Sequence, residues 1–429
     1  MKFEFLHPRD QLVMMMDRIY RYGLTTTSGG NISVLDSDGD VWITPGGIDK
    51  GSLAREDIVR VKPDGTVIAK HKPSVELPFH KLVYRTRPDV RCVLHAHSPA
   101  LVSYSLLRKA PHTKIIANAD IVCGEVGVAG YEIPGSVELG EKIAAEFAKG
   151  RNVVMMENHG VVVCGTDIFE AFKRFETLEA CAKLDIRSNI LGKAVELDDA
   201  QIGLARNRKL CDLSEFIPNV HGSEEREARR EMAEFVRRAY RQHLFTSTQG
   251  TISVRLGEDS FLITPHNVDR CTLEPEDIVR VDHGYREAGK LASKSVLVHK
   301  AILDRHPEIR SVIIAHPTNV MAFGITRSEI DSRTIPESYI NMRKVQTLPF
   351  GVLHADPERA AQTVSLSAPV TLVQNDAVLV VGENLLKAFD TLEVAEFTAD
   401  TLIQSRLIGQ AIPISEEEVK ELERVFHLK

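Results

Sequence analysis

The chain has 429 residues, which at about 150 residues per domain is room for two or three domains with proper cores. Hydrophobic residues make up 43% and charged residues 26%, an ordinary globular composition that excludes the fibrous and disordered classes. A net charge of -7 gives no electrostatic case for nucleic acid or an anionic membrane as partner, so a small-molecule function is expected.

The opening stretch carries charged residues and Pro8 where a secretory leader would need an uninterrupted apolar core. Nowhere does an apolar run approach the roughly 18 residues of a membrane span. Residues 9 to 22 read as an amphipathic helix opened by Asp10, with Leu12, Val13, Met16, Ile19 and Tyr20 at helical spacing. The loop Thr25 to Asn31 follows. Ile32-Ser33-Val34 and Val41-Trp42-Ile43-Thr44 then flank the polar turn Asp36 to Asp40, which predicts a hairpin. Pro45-Gly46-Gly47, a helix-like Leu53 to Asp57 and a strand Ile58 to Val61 come next.

Within Val93 to Ser98, His95 and His97 stand two residues apart in an apolar run, so a strand there would point both imidazoles one way. Two imidazoles aimed at one spot are half of a transition-metal site. Alone, they read more simply as hydrogen-bonded strand-end histidines. A second segment, Val153 to Val163, adds weight, because His159 and Gly160 interrupt its β-branched run and a buried histidine there needs a partner. The six cysteines show no CxxC pair or regular spacing, so neither a disulfide framework nor a zinc ribbon is expected, and a reducing cytoplasm is.

The second half repeats the first. Thr251-Ile252-Ser253-Val254, Phe261 to Pro265 and Glu276 to Val281 echo the earlier hairpin and strand; Thr44 and Thr264 differ by 220 positions, as do Asp57 and Asp277. His80 matches His299 and His97 matches His316 at an offset of 219, and Asn158 matches Asn375 at 217. This is a tandem duplication of a domain of roughly 200 residues, with a period far too long for a solenoid. The seam falls at Asn207 to Glu224, so the copies are expected at 1–212 and 222–429. Each mixes hairpins with helices, which points to mixed α/β layers and not to a Rossmann sheet. Neither GxGxxG nor a Walker motif is present.

Gly30-Asn31-Ile32-Ser33, Ile43 to Gly47, Pro73-Ser74-Val75-Glu76, His95-Ala96-His97-Ser98 and Asn158-His159-Gly160, in this order, resemble the class II aldolase and adducin family. The resemblance covers residues 8 to 200 and, more weakly, 228 to 410. It implies an α/β fold, a three-layer αβα domain around a largely antiparallel central sheet, present here twice in tandem. It also implies a metal-dependent lyase acting on a small sugar or sugar-phosphate, with domains assembled as a fourfold ring. Carried over, it makes His95, His97 and His159 the ligands of a divalent metal, zinc first, with Mn2+, Fe2+ or Co2+ as alternatives. Glu76 becomes the acid/base, and Gly30, Asn31, Gly46, Gly47 and Ser74 the substrate or phosphate site. The chemistry suits these groups: breaking a carbon–carbon bond beside a carbonyl leaves an enediolate, which a divalent metal stabilises while a carboxylate moves the proton. Read without the family, Glu76 is an ordinary acid at a helix N-terminus.

Several positions depart from the family pattern. Gly46 and Val75 replace phosphate-binding hydroxyls, which opens the way to a carboxylated or unphosphorylated substrate. Asn118 to Glu125 resembles the segment carrying an aspartate acid/base in the family's epimerases, here Asp120. The second copy has Ile314 for His95, Asp376 for His159, Ser295 for Glu76 and Thr251 for Asn31, so it is expected to be catalytically silent. In the family a neighbouring domain completes each site. Two chains forming a pseudo-fourfold ring would let Glu337 or Tyr339, at the positions equivalent to Asn118 and Asp120, reach the metal, with Tyr339 as the acid. Epimerase, decarboxylase and dehydratase chemistry fit the same metal site, and a non-enzymatic, adducin-like interaction module is the contrasting class. Schiff-base chemistry would need a desolvated lysine, and no lysine lies in an obviously apolar motif.

Overall fold

The computed structural model describes residues 3–428. The first repeat contributes β1 (Asn31–Leu35), β2 (Val41–Ile43), β3 (Val59–Val61), β4 (Val67–Ile68), β5 (Cys92–Ala96), β6 (Val126–Ala129), β7 (Val153–Met156) and β8 (Gly160–Gly165). Its helices are α1 (Pro8–Arg21), α2 (Leu77–Thr86), α3 (Pro99–Leu106), α4 (Ala117–Cys123), α5 (Val137–Ala148) and α6 (Ile168–Leu191). The sheet runs β4-β3-β2-β1-β5-β8-β7-β6, antiparallel throughout except where β6 pairs parallel to β7.

Alternation along the strands divides the core into two layers. Ile32, Leu94 and Val161 face Leu12 and Met16 of α1, Leu101 of α3 and Phe172 and Phe175 of α6. Val59, Val93, Val154 and Val162 face Phe79 and Val83 of α2 and Leu139, Ile143 and Phe147 of α5. This is the three-layer αβα sandwich. Each fully buried side chain of this kind contributes about 1.5–3 kcal/mol.

Two local expectations need adjusting. The first helix begins at Pro8 with His7 as its cap, the imidazole accepting from the Arg9 amide, so Asp10 sits within the first turn and does not open it. The segment expected as a helix before β3 is a single 3-10 turn, Arg55–Asp57. The predicted hairpin is present as β1 and β2, with Ser33 opposite Ile43.

After α7 (Asp199–Arg206), β9 (Glu215–Phe216) and α8 (Ser223–Arg241), the second repeat follows with β10 (Thr251–Arg255), β11 (Ser260–Ile263), β12 (Val279–Asp282), β13 (Tyr285–Glu287), β14 (Ser311–Ala315), β15 (Gln346–Leu348), β16 (Val370–Val373) and β17 (Ala377–Gly382). The helices are α9 (Val296–Arg305), α10 (Thr318–Thr326), α11 (Pro336–Met342), α12 (Val352–Ala355), α13 (Pro357–Thr363), α14 (Leu385–Ile408) and α15 (Glu416–Val425). Its sheet, β15-β16-β17-β14-β10-β11-β12-β13-β9, has the strand order of the first sheet plus one edge strand. That extra strand is a finding about the seam: Glu215–Phe216 pairs parallel to β13, and Cys211 and Leu213 pack on the second core, so part of the seam is built into a sheet.

The chain forms two compact units. One holds residues up to Thr113 with Asn118–Lys183; the other holds Lys114–Ala117 with Leu184 onward. All six cysteines are free. Among the described residues no helix is long and apolar enough to cross a membrane.

Candidate metal centre

Antiparallel pairing sets Asn31 of β1 directly opposite His95 of β5. His95 shares the face of Val93, under α2, and His97 lies one residue beyond the strand end. The third imidazole arrives from the β7–β8 turn, where Asn158 takes a left-handed φ of 55° and the His159 amide bonds the Met156 carbonyl. Gly160 is needed there. A Cβ would stand 2.6 Å from the Ala96 carbonyl oxygen and 3.0 Å from the His97 ring.

The three side chains can each offer a ligand atom within 4.8 Å of the others, and they are the one such group found among the described residues. His95 donates from Nδ1 to the Val161 carbonyl at 2.9 Å, which leaves the Nε2 lone pair facing inward. That Nε2 lies 2.8 Å from Nε2 of His97. Burial pushes His95, His97 and His159 each down to about 4, so all three stand neutral, the form that ligates.

Glu76 sits at the N-cap position of α2, 5% exposed, yet its carboxylate makes no cap hydrogen bond. It turns instead toward the histidines, with Oε2 3.4 Å from His95 Nε2 and Oε1 3.5 Å from His159 Nε2. Asn31 Nδ2 donates to Oε2 at 2.7 Å. The capping explanation of Glu76 is thereby displaced. His159 Nδ1 and Glu76 Oε1 are buried with no hydrogen-bond partner among the described residues. Three neutral imidazoles beside a carboxylate oxygen with unspent lone pairs fit a divalent transition metal.

The residues expected to hold an anion are distributed unevenly. Gly30, at a φ of 69°, packs against the His95 carbonyl, where a Cβ would come within 2.8 Å. Gly46 lies against Pro73 and Ser74, but its amide already donates to the Lys72 carbonyl. Gly47 has a φ of 69° with open space around it. Ser74 is buried, and its hydroxyl accepts from the Glu76 amide at 3.3 Å. Tyr339 belongs to the second unit, on α11, where its hydroxyl donates to Glu423 at 2.7 Å and burial raises its pKa.

Sequence reasoning missed the polar residues behind Glu76. His80 and Tyr84 follow it at helical i+4 and i+8 spacing, and that stripe on α2 was the available signal. Lys50 was also missed. It is buried, its ammonium donates to the Pro45 carbonyl, and burial lowers it to about 8, so a desolvated lysine does exist in the chain.

At the equivalent place in the second unit, Ile314 stands opposite Thr251 as His95 stands opposite Asn31. His316 is half-buried, and desolvation lowers it to about 4. Asp376 lies 3.7 Å from the guanidinium of Arg208, a residue of the seam whose carbonyl accepts from Lys294 at 3.0 Å.

The family model described as the class II aldolase and adducin N-terminal domain matches residues 10–186 and again 230–403. An L-fuculose phosphate aldolase of Methanocaldococcus jannaschii is 31% identical over 185 residues, which is 43% of this chain and 99% of that protein. A 3-oxo-tetronate 4-phosphate decarboxylase of Escherichia coli is 32% identical over 180 residues, covering 41% of this chain and 84% of its own. A solved L-fuculose 1-phosphate aldolase structure aligns at 30% identity with a TM-score of 0.43, over 46% of this chain and 95% of that one.

Proposed function

From the premise that the chain belongs to the class II aldolase and adducin family, we propose that its first repeat is a metal-dependent lyase that cleaves a carbon–carbon bond beside the carbonyl of a small hydroxylated, phosphorylated substrate. The observation that carries this reading is the convergence of His95, His97 and His159 on one point with the Glu76 carboxylate 3.4–3.5 Å from two of them. A divalent metal held by the three histidines, zinc first, supplies positive charge that offsets the negative charge growing on a carbonyl oxygen. Glu76 holds or moves the proton through Oε1, and the Gly30-Asn31 loop with Gly47 and Ser74 seats the substrate's anionic end, Gly46 only shaping the turn because its amide is already engaged. An aldolase is the first reading. Decarboxylation is the second, favoured by the similarity to the E. coli oxo-tetronate phosphate decarboxylase, since both reactions leave the same electron pair beside a carbonyl.

In this proposal residues 1–212 are the working copy and 222–429 the degenerate one, whose cluster is reduced to His316 and an aspartate facing Arg208. A homodimer arranged as a pseudo-fourfold ring in the cytoplasm would use Tyr339 of one chain, released from Glu423, as proton donor at the histidine cluster of the other. Elemental analysis of purified protein, followed by assays of L-fuculose 1-phosphate cleavage and 3-oxo-tetronate 4-phosphate decarboxylation, tests it. The expected result is one bound metal per chain and turnover of one of the two compounds that stops on chelation. Turnover that survives complete metal removal would overturn it.

A further inference from the structure

Behind Glu76 lies an unbroken run of four buried hydrogen bonds. Asn31 Nδ2 donates to Glu76 Oε2 at 2.7 Å, and Asn31 Oδ1 lies 2.5 Å from His80 Nε2. His80 Nδ1 lies 2.7 Å from Ser33 Oγ, and Ser33 Oγ lies 2.6 Å from the Tyr84 hydroxyl. Two periodicities build it. Glu76, His80 and Tyr84 form one stripe on α2, and Asn31 and Ser33 share one face of β1.

Chemistry fixes the direction of every link. A carboxylate oxygen only accepts, so Asn31 presents its amide nitrogen to Glu76 and its carbonyl oxygen to His80. His80 must then carry its proton on Nε2. Its Nδ1 therefore accepts from the Ser33 hydroxyl, and Ser33 accepts from Tyr84. The whole run donates toward Oε2 and engages it, while Oε1 has no hydrogen-bond partner among the described residues.

The second repeat shows what this run is for. It keeps the middle link, His299 to Ser253 at 2.7 Å, and loses both ends. Leu303 stands in the place of Tyr84, and Thr251 bonds Ser293, which bonds Ser295 where Glu76 would be. His299 Nε2 has no hydrogen-bond partner among the described residues. The same sheet and helix form without the complete run, so the fold does not require it. It is whole only where the carboxylate is present.

We propose that Asn31, His80, Ser33 and Tyr84 are positioning residues, a one-way relay that locks Oε2 of Glu76 and leaves Oε1 as the oxygen that exchanges the proton. The proposal rests on Glu76 being the acid/base of the first repeat. Partners of this kind, which hold a functional group without touching substrate, typically contribute about 10- to 100-fold.

Two measurements on the full chain test it separately. Nitrogen-15 and proton spectra of its histidines, with no substrate added, should show His80 as the Nε2–H tautomer with a hydrogen-bonded imidazole proton that disappears in His80→Gln and shifts in Asn31→Asp. An Nδ1–H tautomer overturns the relay whatever the protein catalyses. Rates are then measured with whichever of L-fuculose 1-phosphate and 3-oxo-tetronate 4-phosphate the unaltered protein converts. Ser33→Ala should lower kcat by about 10-fold with KM within about twofold and metal content unchanged, and Asn31→Asp, which still accepts from His80 but cannot donate to Glu76, should lower kcat by about 30-fold. In a Glu76→Gln background the same substitutions should change kcat by less than about twofold, because the group they serve is already gone. Equal losses in both backgrounds, or an unchanged kcat, refute the proposal. If Asn31→Asp fails to fold, Tyr84→Phe at the far end of the relay carries the test. Should neither compound be converted, the proposed function falls while the imidazole spectrum alone decides the relay.

Discussion

The two repeats share a sheet order and a turn. Asn158 and Asn375 hold the same left-handed conformation, with φ of 55° and 54°. What they do not share is what surrounds that turn. In the first, His159 follows the asparagine and Gly160 leaves room beside two more imidazoles; in the second, Asp376 follows, Ala377 opens the strand, and a guanidinium from the seam lies nearby. The lesson is that the scaffold and the chemistry separate cleanly. Fold-holding positions, the apolar alternation of β5 and β14 among them, survive in both copies, while each group converging on the metal point has been replaced in one except His316, and the space re-used for an ion pair.

The largest effect should come from breaking the site itself. His159→Ala and His95→Ala should each take bound metal from one per chain to none and reduce turnover by more than about 1,000-fold, since the charge that offsets the developing oxyanion leaves with the ion. Elemental analysis reads the comparison directly. Metal falling only by half in these variants would mean that the second repeat also binds.

Glu76→Gln ranks next. The amide keeps the shape and can still accept from Asn31, but it cannot take a proton, so turnover should fall by about 100- to 10,000-fold with metal and melting temperature little changed. Ser295 marks the same position in the second repeat. Wild-type rates in Glu76→Gln would return the residue to the helix-terminus role that its bonding argues against.

Tyr339→Phe sharpens the comparison in the other direction, by asking whether the second repeat serves the site of the first. Turnover should fall by about 10- to 100-fold if its hydroxyl is the proton donor, and Asp120→Asn should stay within about twofold. Steady-state rates that show the reverse order would make Asp120 the working acid.

Much of this arrangement was legible before any coordinates. The duplication, the hairpin, the His-Ala-His strand and the Asn-His-Gly turn are short-range patterns whose spacing carries the physics. The residues that escaped depend on how separate elements meet. His80 was visible only as a matched position between the repeats, because nothing in the helix sequence says that Asn31 will lie against it. Arg208 and β9 sit in a stretch whose loop-forming residues are real but whose neighbours, Cys211 and Leu213, are recruited by the second core. Tyr339 remains bonded to Glu423, a partner 84 positions away that no local pattern announces.

The smallest expected effect concerns a carboxylate that both repeats place under a helix N-terminus. Glu179 of α6 accepts from the Leu101 amide at the start of α3, and Glu396 of α14 accepts from the amides of Asn319 and Val320 at the start of α10. Burial raises Glu396 from 4.5 to about 7, against the lowering influence of those donors. A folded-state pKa above the unfolded value means that the folded chain holds the proton more tightly. The group's contribution is therefore complete below about pH 4.5 and is lost as pH rises through about 7. Glu396→Gln keeps an oxygen for the helix amides and removes the ionisation, so it should flatten the decline in stability between pH 5 and 8 without altering turnover in the first repeat. Denaturant unfolding of the full chain across that range provides the measurement. A variant that loses stability equally at every pH would show that Glu396 acts as a plain cap.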